Sequence, residues 1–240
     1  MKKRLQVILA HAGVSSRRKA REFIESGRVR INGLVVREKG FGVDTDIDKI
    51  ELDGRPLGTE KKVYYILNKP KGVITTSSDE KGRKTVIDLI NSQKLRIYPV
   101  GRLDKDTEGV LLLTNDGDLA YKLMHPKFEI KKIYIAEIKG EIRKTDLEKM
   151  EKGIRIDGEK LAPCQARILE QKGDRTVVRI RMHEGRKREI RKMFEEIGSE
   201  VVNLRRIEYA GLNTKGLGPG EYRHLTTKEI LELKNAAESK

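Results

Sequence analysis

Very little of this sequence is aromatic, and almost none of it is cysteine. Tryptophan is absent, Phe and Tyr make up 5%, and Cys164 is the single cysteine. One thiol cannot close an internal disulfide, so a reducing interior is expected. Long apolar runs are missing too, and nothing approaches the roughly 20 residues that span a bilayer. The opening MKKRLQVILAHAGVSS has the basic start and short apolar patch of a secretory signal. His11 interrupts that patch, and no small-residue cleavage pattern follows. A cytoplasmic protein that does not engage membranes is the expectation.

The phosphate loop, the dinucleotide fingerprint and zinc-ligand spacing are also lacking, so no cofactor and no metal are expected. His11, His125, His183 and His224 are scattered and read, with Cys164, as structural residues.

What is present is charge. Across 240 residues there are 52 Lys and Arg against 37 Asp and Glu, a net +15 with a pI near 9.8. The partner such a surface fits best is a polyanion, and nucleic acid is the usual one. The charge is uneven: residues 2–39 hold eleven basic and three acidic side chains, residues 40–60 two basic and six acidic.

Within the basic block Leu5, Ile8 and Leu9 recur at helical spacing, and Gly13 ends the helix. Ser15 or Ser16 caps a second helix with Ala20, Phe23 and Ile24 on one face and Arg17, Arg18, Lys19 and Arg21 on the rest. RVRINGLVV then reads as a hairpin turning at Asn32-Gly33. RPLGTEKK reads as a linker.

Beyond it, strand patterns (VYYILN, RIYPV, VLLLT, KKIYIAEIKG, ARILEQ, RTVVRIRM) mix with helical ones (KTVIDLINSQ, DLAYKLMH, KTDLEKMEKG, KREIRKMFEEIG, TTKEILELKNAAE). Mixed order with adjacent strands predicts an α+β fold with a largely antiparallel sheet. AAESK reads as a frayed end.

GRLDKDTEGVLLLTNDGD gathers carboxylates around the apolar run Val110–Leu113. A calcium loop would need a bidentate Glu six residues past Gly109, where Asn115 stands. Asn115, Asp116 and Gly117 supply turn chemistry, and Asp118 reads as a cap for the following helix. Asp104, two residues after Arg102, fits either a structural ion pair or a catalytic acid.

The first block, RLQVILAHAGVSSRRKAREFIESGRVRINGLVV, resembles the S4-type RNA-binding domain. NKPKGVITT, GRLDKDTEGVLLLTNDGDLAYKLMHP, KKIYIAEIKG and HEGRKREIRKMFEEIGSEVVNLRRI then follow in the order and character of one enzyme family. The chain is similar to the bacterial ribosomal RNA pseudouridine synthases, in the branch that carries an S4-like domain first. Val110 stands where Leu is more usual, and Lys187 where Asn is frequent.

The resemblance implies an S4-like domain over residues 1–60 and a catalytic domain over 61–240. It makes Asp104 the essential acid, Tyr134 the ring that stacks on the target base, and Arg191 the cation paired with Asp104. Ile190 would line the base pocket, and Arg102 would eject the base or hold a phosphate. Arg4, Arg17, Arg18, Lys19 and Arg28 in the first domain, with Arg186, Lys187, Arg188 and Lys192 in the second, are the expected RNA contacts. The implied partner is ribosomal RNA or a ribosome-assembly intermediate, large-subunit RNA ahead of small-subunit RNA, bound by a monomer. Two rivals remain at this point: an S4-domain protein that only grips RNA, and a metal-dependent nuclease using Asp104, Asp106 and Glu108.

Overall fold

The computed structural model describes residues 2–58, 60–91 and 95–238. They form two compact units, one built on the chain up to Val63 together with Arg96 and Asn115–Gly117, the other on most of the chain from Tyr64 onward.

In the first unit α1 (Leu5–His11) and α2 (Arg17–Glu25) pack beside a four-stranded sheet. The strands are β1 (Val29–Ile31), β2 (Leu34–Val35), β3 (Ile50–Leu52) and β4 (Arg55–Pro56), ordered β2-β1-β3-β4. Ser16 caps α2 by accepting the Lys19 N–H at 3.1 Å, which satisfies one of the donors a helix start leaves open. Ala20 and Ile24 are buried against Leu5, Leu9 and Val29, and this apolar face holds the unit together. The β1–β2 turn places Asn32 at φ 51° and Gly33 at φ 82°, the paired left-handed conformation of the tightest hairpins. The stretch expected as a linker begins as the edge strand β4, because Arg55 and Pro56 pair with Leu52 and Glu51.

The second unit is built on an eight-stranded sheet with helices packed on it, beside a short hairpin in which Arg155–Ile156 pairs with Glu159–Lys160. In chain order its strands are β5 (Tyr64–Lys69), β6 (Tyr98–Val100), β7 (Thr107–Thr114), β8 (Lys132–Lys139), β9 (Gln165–Lys172), β10 (Arg175–Met182), β11 (Glu200–Tyr209) and β12 (Tyr222–His224). The spatial order is β9-β10-β8-β11-β7-β5-β12, with β6 alongside β7. Every pairing is antiparallel except β11 with β7. β10 alternates buried and exposed residues, as a strand with one covered face does. β5 is buried along its whole length, at the depth of the sheet.

The helices are α3 (Gly117–Met124), α4 (Lys144–Glu151), α5 (Glu189–Glu196) and α6 (Thr227–Ala236). Leu119, Leu123 and Leu233 from α3 and α6 join Ile66, Val110 and Leu112 in the core. Each such side chain contributes about 1.5–3 kcal/mol of burial. Among the described residues no helix is long and apolar enough to cross a membrane.

Three local expectations are corrected. KTVIDLINSQ is not a helix over Lys84–Asn91. Val86 gives its N–H to the Ile74 carbonyl at 3.0 Å, and Asp88 accepts from Thr85 N–H at 2.7 Å, so a bridge and a turn outcompete the helical pattern. Ser92 and Gln93 lie outside the described residues. Asp118 sits inside the first turn of α3, which starts at Gly117, and is not its cap. The strand β11 was not anticipated, because Glu200, Arg205, Arg206 and Glu208 disguise it. Of AAESK, Ala236 closes α6, and Ser239 and Lys240 lie outside the described residues.

Candidate active site

Asp104 lies in the turn between β6 and β7, half-buried, with its neighbours pinned on both sides. On one side Thr75 holds Leu103 twice: its hydroxyl donates to the Leu103 carbonyl at 2.7 Å and accepts the Leu103 N–H at 3.3 Å. On the other, the ammonium of Lys69 donates to the carbonyls of Thr107 at 2.8 Å, Pro70 at 3.0 Å and Lys105 at 3.4 Å. Gly72 N–H also donates to Lys105 at 2.9 Å, and Thr107 N–H closes the turn onto the Asp104 carbonyl at 3.1 Å. These bonds fix the backbone on both sides of Asp104 and so pre-orient its side chain.

Lys69 answers why acids collect here. Its side chain is fully buried, and burial lowers its pKa to about 8 against the opposing pull of Asp106, Asp104 and Glu108. The charges of these three carboxylates act on a buried cation whose ammonium bonds backbone carbonyls of the turn. Among the described residues no group of His, Cys, Asp and Glu is arranged to hold a metal ion. No motif in the sequence marks Lys69. The available signal was a lysine ending a strand whose every other position is apolar or uncharged.

The glycine of the TEG segment has its own reason. Gly109 has φ +104° and faces Arg206 across the parallel β7–β11 pairing, where an added Cβ would fall 2.1 Å from the Arg206 carbonyl oxygen.

Asp104 shares the walls of a cavity of about 60 Å³ with Tyr134, Ile190, Arg102, Arg188 and Thr107, among others. β8 delivers Tyr134, 7% exposed, and the first turn of α5 delivers Ile190, 4% exposed. Arg102 and Arg188 are exposed, and neither guanidinium group has an ion-pair or hydrogen-bond partner among the described residues. Arg188 lies outside the helix where it was expected; it is the N-cap of α5, held at φ 54°, ψ 27°. That left-handed conformation costs a non-glycine residue about 1 kcal/mol or more.

Arg191 departs from expectation. It is buried, its guanidinium donates to the Val201 carbonyl at 2.6 Å, and its Nε has no partner. No ion pair within 4 Å joins it to Asp104, nor does it belong to the cavity wall. Its position one residue past Ile190 turns it from the cavity toward β11. A second buried arginine, Arg206, donates to the Val110 carbonyl at 2.8 Å and lies over the Tyr209 ring.

Comparison with known proteins adds the deciding observation. Residues 63–196 match the RNA pseudouridylate synthase family, and residues 3–46 match the S4 domain. The chain belongs to the RNA pseudouridylate synthase family. It is 50% identical to the ribosomal large subunit pseudouridine synthase B of Bacillus subtilis, over 98% of this chain and 97% of that one. It is 39% identical to an uncharacterized RNA pseudouridine synthase of Aquifex aeolicus, over 97% of this chain and 94% of the relative. A crystal structure of a pseudouridylate synthase, 29% identical, superposes with a TM-score of 0.70 over 96% of this chain and 99% of that one. The S4 domain followed by an α+β pseudouridine synthase fold, read from the motifs, is the architecture of this family member.

The remaining cations divide by partner. Arg186 pairs with Glu159 at 2.6 Å and Glu184 at 3.3 Å, and Lys192 pairs with Asp157 at 2.6 Å. With the exposed Lys187 they line a second cavity of about 250 Å³. In the S4 unit Arg4, Arg17, Arg18 and Lys19 are exposed without ion-pair partners among the described residues. Arg28 is different. It forks onto both carboxylate oxygens of Asp53, at 2.9 and 2.5 Å, and lies 4.2 Å from the Phe23 ring centre.

The histidines and the cysteine have local partners. His125 accepts the Lys127 N–H at 3.2 Å, His183 bonds the Glu129 carbonyl, and His224 packs on Tyr65. Burial and the charges of Glu151 and Glu189 push the Cys164 thiol up to about 12, which makes it inert.

Proposed function

We propose that the chain isomerises a uridine of ribosomal RNA, large-subunit RNA before small-subunit RNA, to pseudouridine, with Asp104 as the catalytic carboxylate. The observation that carries this reading is the clamped, half-buried Asp104 facing a cavity whose wall includes Tyr134 and two unpaired guanidinium groups.

The reaction breaks the bond from ribose C1′ to uracil N1, turns the base, and joins C1′ to C5, whose proton is released while N1 takes one up. Nothing is oxidised and no energy carrier is consumed, so the reading needs neither cofactor nor metal. Attack at C1′, addition to C6 and removal of the C2′ proton all begin from an ionised carboxylate.

A uridine within a helix must swing out to reach Asp104. The cavity is too small for a nucleoside as it stands, so the exposed side chains of Arg102 and Arg188 move aside as the base enters. Tyr134 then offers its ring to the base, an interaction of about 1–3 kcal/mol, and Ile190 closes the apolar side. The pairing with Asp104 that the resemblance gives Arg191 requires its guanidinium to leave the Val201 carbonyl during this entry.

Arg4, Arg17, Arg18 and Lys19 hold phosphates from the S4 unit, and Arg186, Lys187, Arg188 and Lys192 do so beside the cavity. Arg28 serves the RNA surface through its pair with Asp53. The protein acts in the cytoplasm as a monomer, on ribosomal RNA or an assembly intermediate.

The test uses ribosomal RNA transcripts carrying tritium at uracil C5. The purified protein releases the label from large-subunit RNA. Intact RNA that keeps its label would mark a binder, and shortened RNA a nuclease.

A further inference from the structure

Residues 72–91, between β5 and β6, form no helix and no strand of the sheet. They fold back on themselves instead. Asp79 closes the tip of this loop, accepting the backbone N–H groups of Lys81 at 3.2 Å and Arg83 at 2.8 Å and the Arg83 guanidinium at 2.6 Å. Behind the tip, Ile74 donates its N–H to the Lys84 carbonyl at 3.1 Å and accepts the Val86 N–H at 3.0 Å, which makes a single parallel bridge to Thr85. Asp88 fixes the returning arm. One of its oxygens accepts both the N–H of Thr85 at 2.7 Å and its hydroxyl at 2.9 Å. At the end of the arm the Tyr222 hydroxyl of β12 accepts the Asn91 N–H at 3.1 Å.

These bonds converge on the backbone at Ile74, and the next residue is Thr75. The Asp104 segment, residues 101–106, lies between β6 and β7 with no strand beside it. Thr75 stands in for that strand. Its side chain is buried, and its one hydroxyl donates to the Leu103 carbonyl and accepts the Leu103 N–H, using donor and acceptor capacity together. Leu103 walls the cavity beside Asp104, and Thr75 does not.

We infer that Thr75 is a positioning residue for Asp104, and that residues 72–91 form a strap whose folded-back shape holds Thr75 in register. Thr75 acts through the Leu103 backbone and not through contact with the base. Its loss therefore shifts the carboxylate and leaves the RNA surface intact, and a displacement on the order of 1 Å at a reacting group can cost about 10²-fold in rate. This inference rests on the isomerase reading and adds the element that aims its acid.

The test compares variants by steady-state release of tritium from C5-labelled ribosomal RNA. Thr75→Val keeps the shape of the side chain and removes the hydroxyl. Its kcat is expected to fall about ten-fold or more, with KM within about three-fold of wild type. Thr75→Ser keeps the hydroxyl and is expected to hold kcat within about three-fold. Leu233→Val trims a core side chain of α6 outside the cavity wall. It is expected to leave kcat within about two-fold, which separates lost aim from lost stability. Thr75→Val at the wild-type kcat overturns the inference, and so does an equal loss in Thr75→Ser or in Leu233→Val. If Thr75→Val does not fold, Asp88→Ala decides. Asp88 is exposed and outside the cavity wall, and its removal frees Thr85 at the far side of the strap. A kcat at least about three-fold lower at unchanged KM is expected, and the wild-type kcat overturns the inference. Wild-type protein that releases no tritium would overturn the isomerase reading itself, a result that no Thr75 or Asp88 outcome can produce.

Discussion

The ammonium of Lys69 ends 2.8 Å from the carbonyl oxygen of Thr107, three residues past Asp104 in the chain. It is the buried post on which the turn carrying Asp104 is hung, and it holds two further carbonyls besides. Replacing it with an apolar side chain of similar length strands those acceptors. Lys69→Met is expected to lose about 2–4 kcal/mol of stability, as for other breaks in buried polar networks. Where the variant folds, kcat should fall more than KM rises, because the carboxylate loses orientation while the RNA surface is intact. Urea unfolding and steady-state tritium release check the two halves.

Gly109 offers a purely steric test. An added methyl group would sit 2.1 Å from the Arg206 carbonyl oxygen, at a backbone φ of +104° that alanine rarely adopts. Gly109→Ala should therefore separate β7 from β11 and cost more than about 3 kcal/mol, the range of severe backbone changes. A melting temperature within a few degrees of wild type would contradict the parallel pairing described here.

These two residues show what the sequence makes legible. Asn32-Gly33 announces its hairpin because few other pairs accept φ 51° and φ 82°. The strand Arg175–Met182 shows in its alternation, and the α2 cap shows in Ser16. Lys84–Asn91 misleads because its helical spacing is real, while the Val86 N–H is captured by Ile74, twelve residues upstream. β11 hides because charged residues interrupt its apolar positions and find their partners only in the fold: Glu208 meets Lys131, just before β8, at 2.7 Å, and Arg206 bonds the Val110 carbonyl at 2.8 Å. Asp104, Tyr134 and Ile190 are recognisable from motifs, and the structure sets all three around one cavity. Lys69 and Thr75 escape notice because their meaning lies in what burial and distant backbone groups do to them.

Acid should weaken the protein at a definable place. Glu229 receives both guanidinium arms of Arg223, at 2.7 and 2.8 Å, and completes a capping box with Thr226 at the start of α6. These contacts lower its pKa from 4.5 to about 2. The folded value lies below the unfolded one, so this stabilisation is present above about pH 4.5 and is lost as pH falls toward about 2. Glu229→Gln should cost about 1–2 kcal/mol at neutral pH and should flatten that part of the acid slope. Urea midpoints at pH 7, 4 and 3 check it.

The S4-unit cations separate into two experiments. Arg17, Arg18 and Lys19 are exposed without ion-pair partners among the described residues. Each alanine substitution should lower the slope of log affinity against log salt by about 0.7–0.9. Arg28→Ala instead breaks the fork to Asp53 and the contact with Phe23. Its main effect should appear in the unfolding of the unit, with a smaller change in the salt slope. Filter binding across a salt series distinguishes the two patterns.

The most direct test replaces one oxygen. Asp104→Asn keeps the size of the side chain, its place in the cavity and the clamps from Thr75 and Lys69, and removes only the charge and its nucleophilic or basic oxygen. Tritium release from C5-labelled large-subunit ribosomal RNA is predicted to fall at least about 10³-fold, with RNA affinity within about three-fold of wild type. Release at the wild-type rate from the variant would contradict the account at its centre.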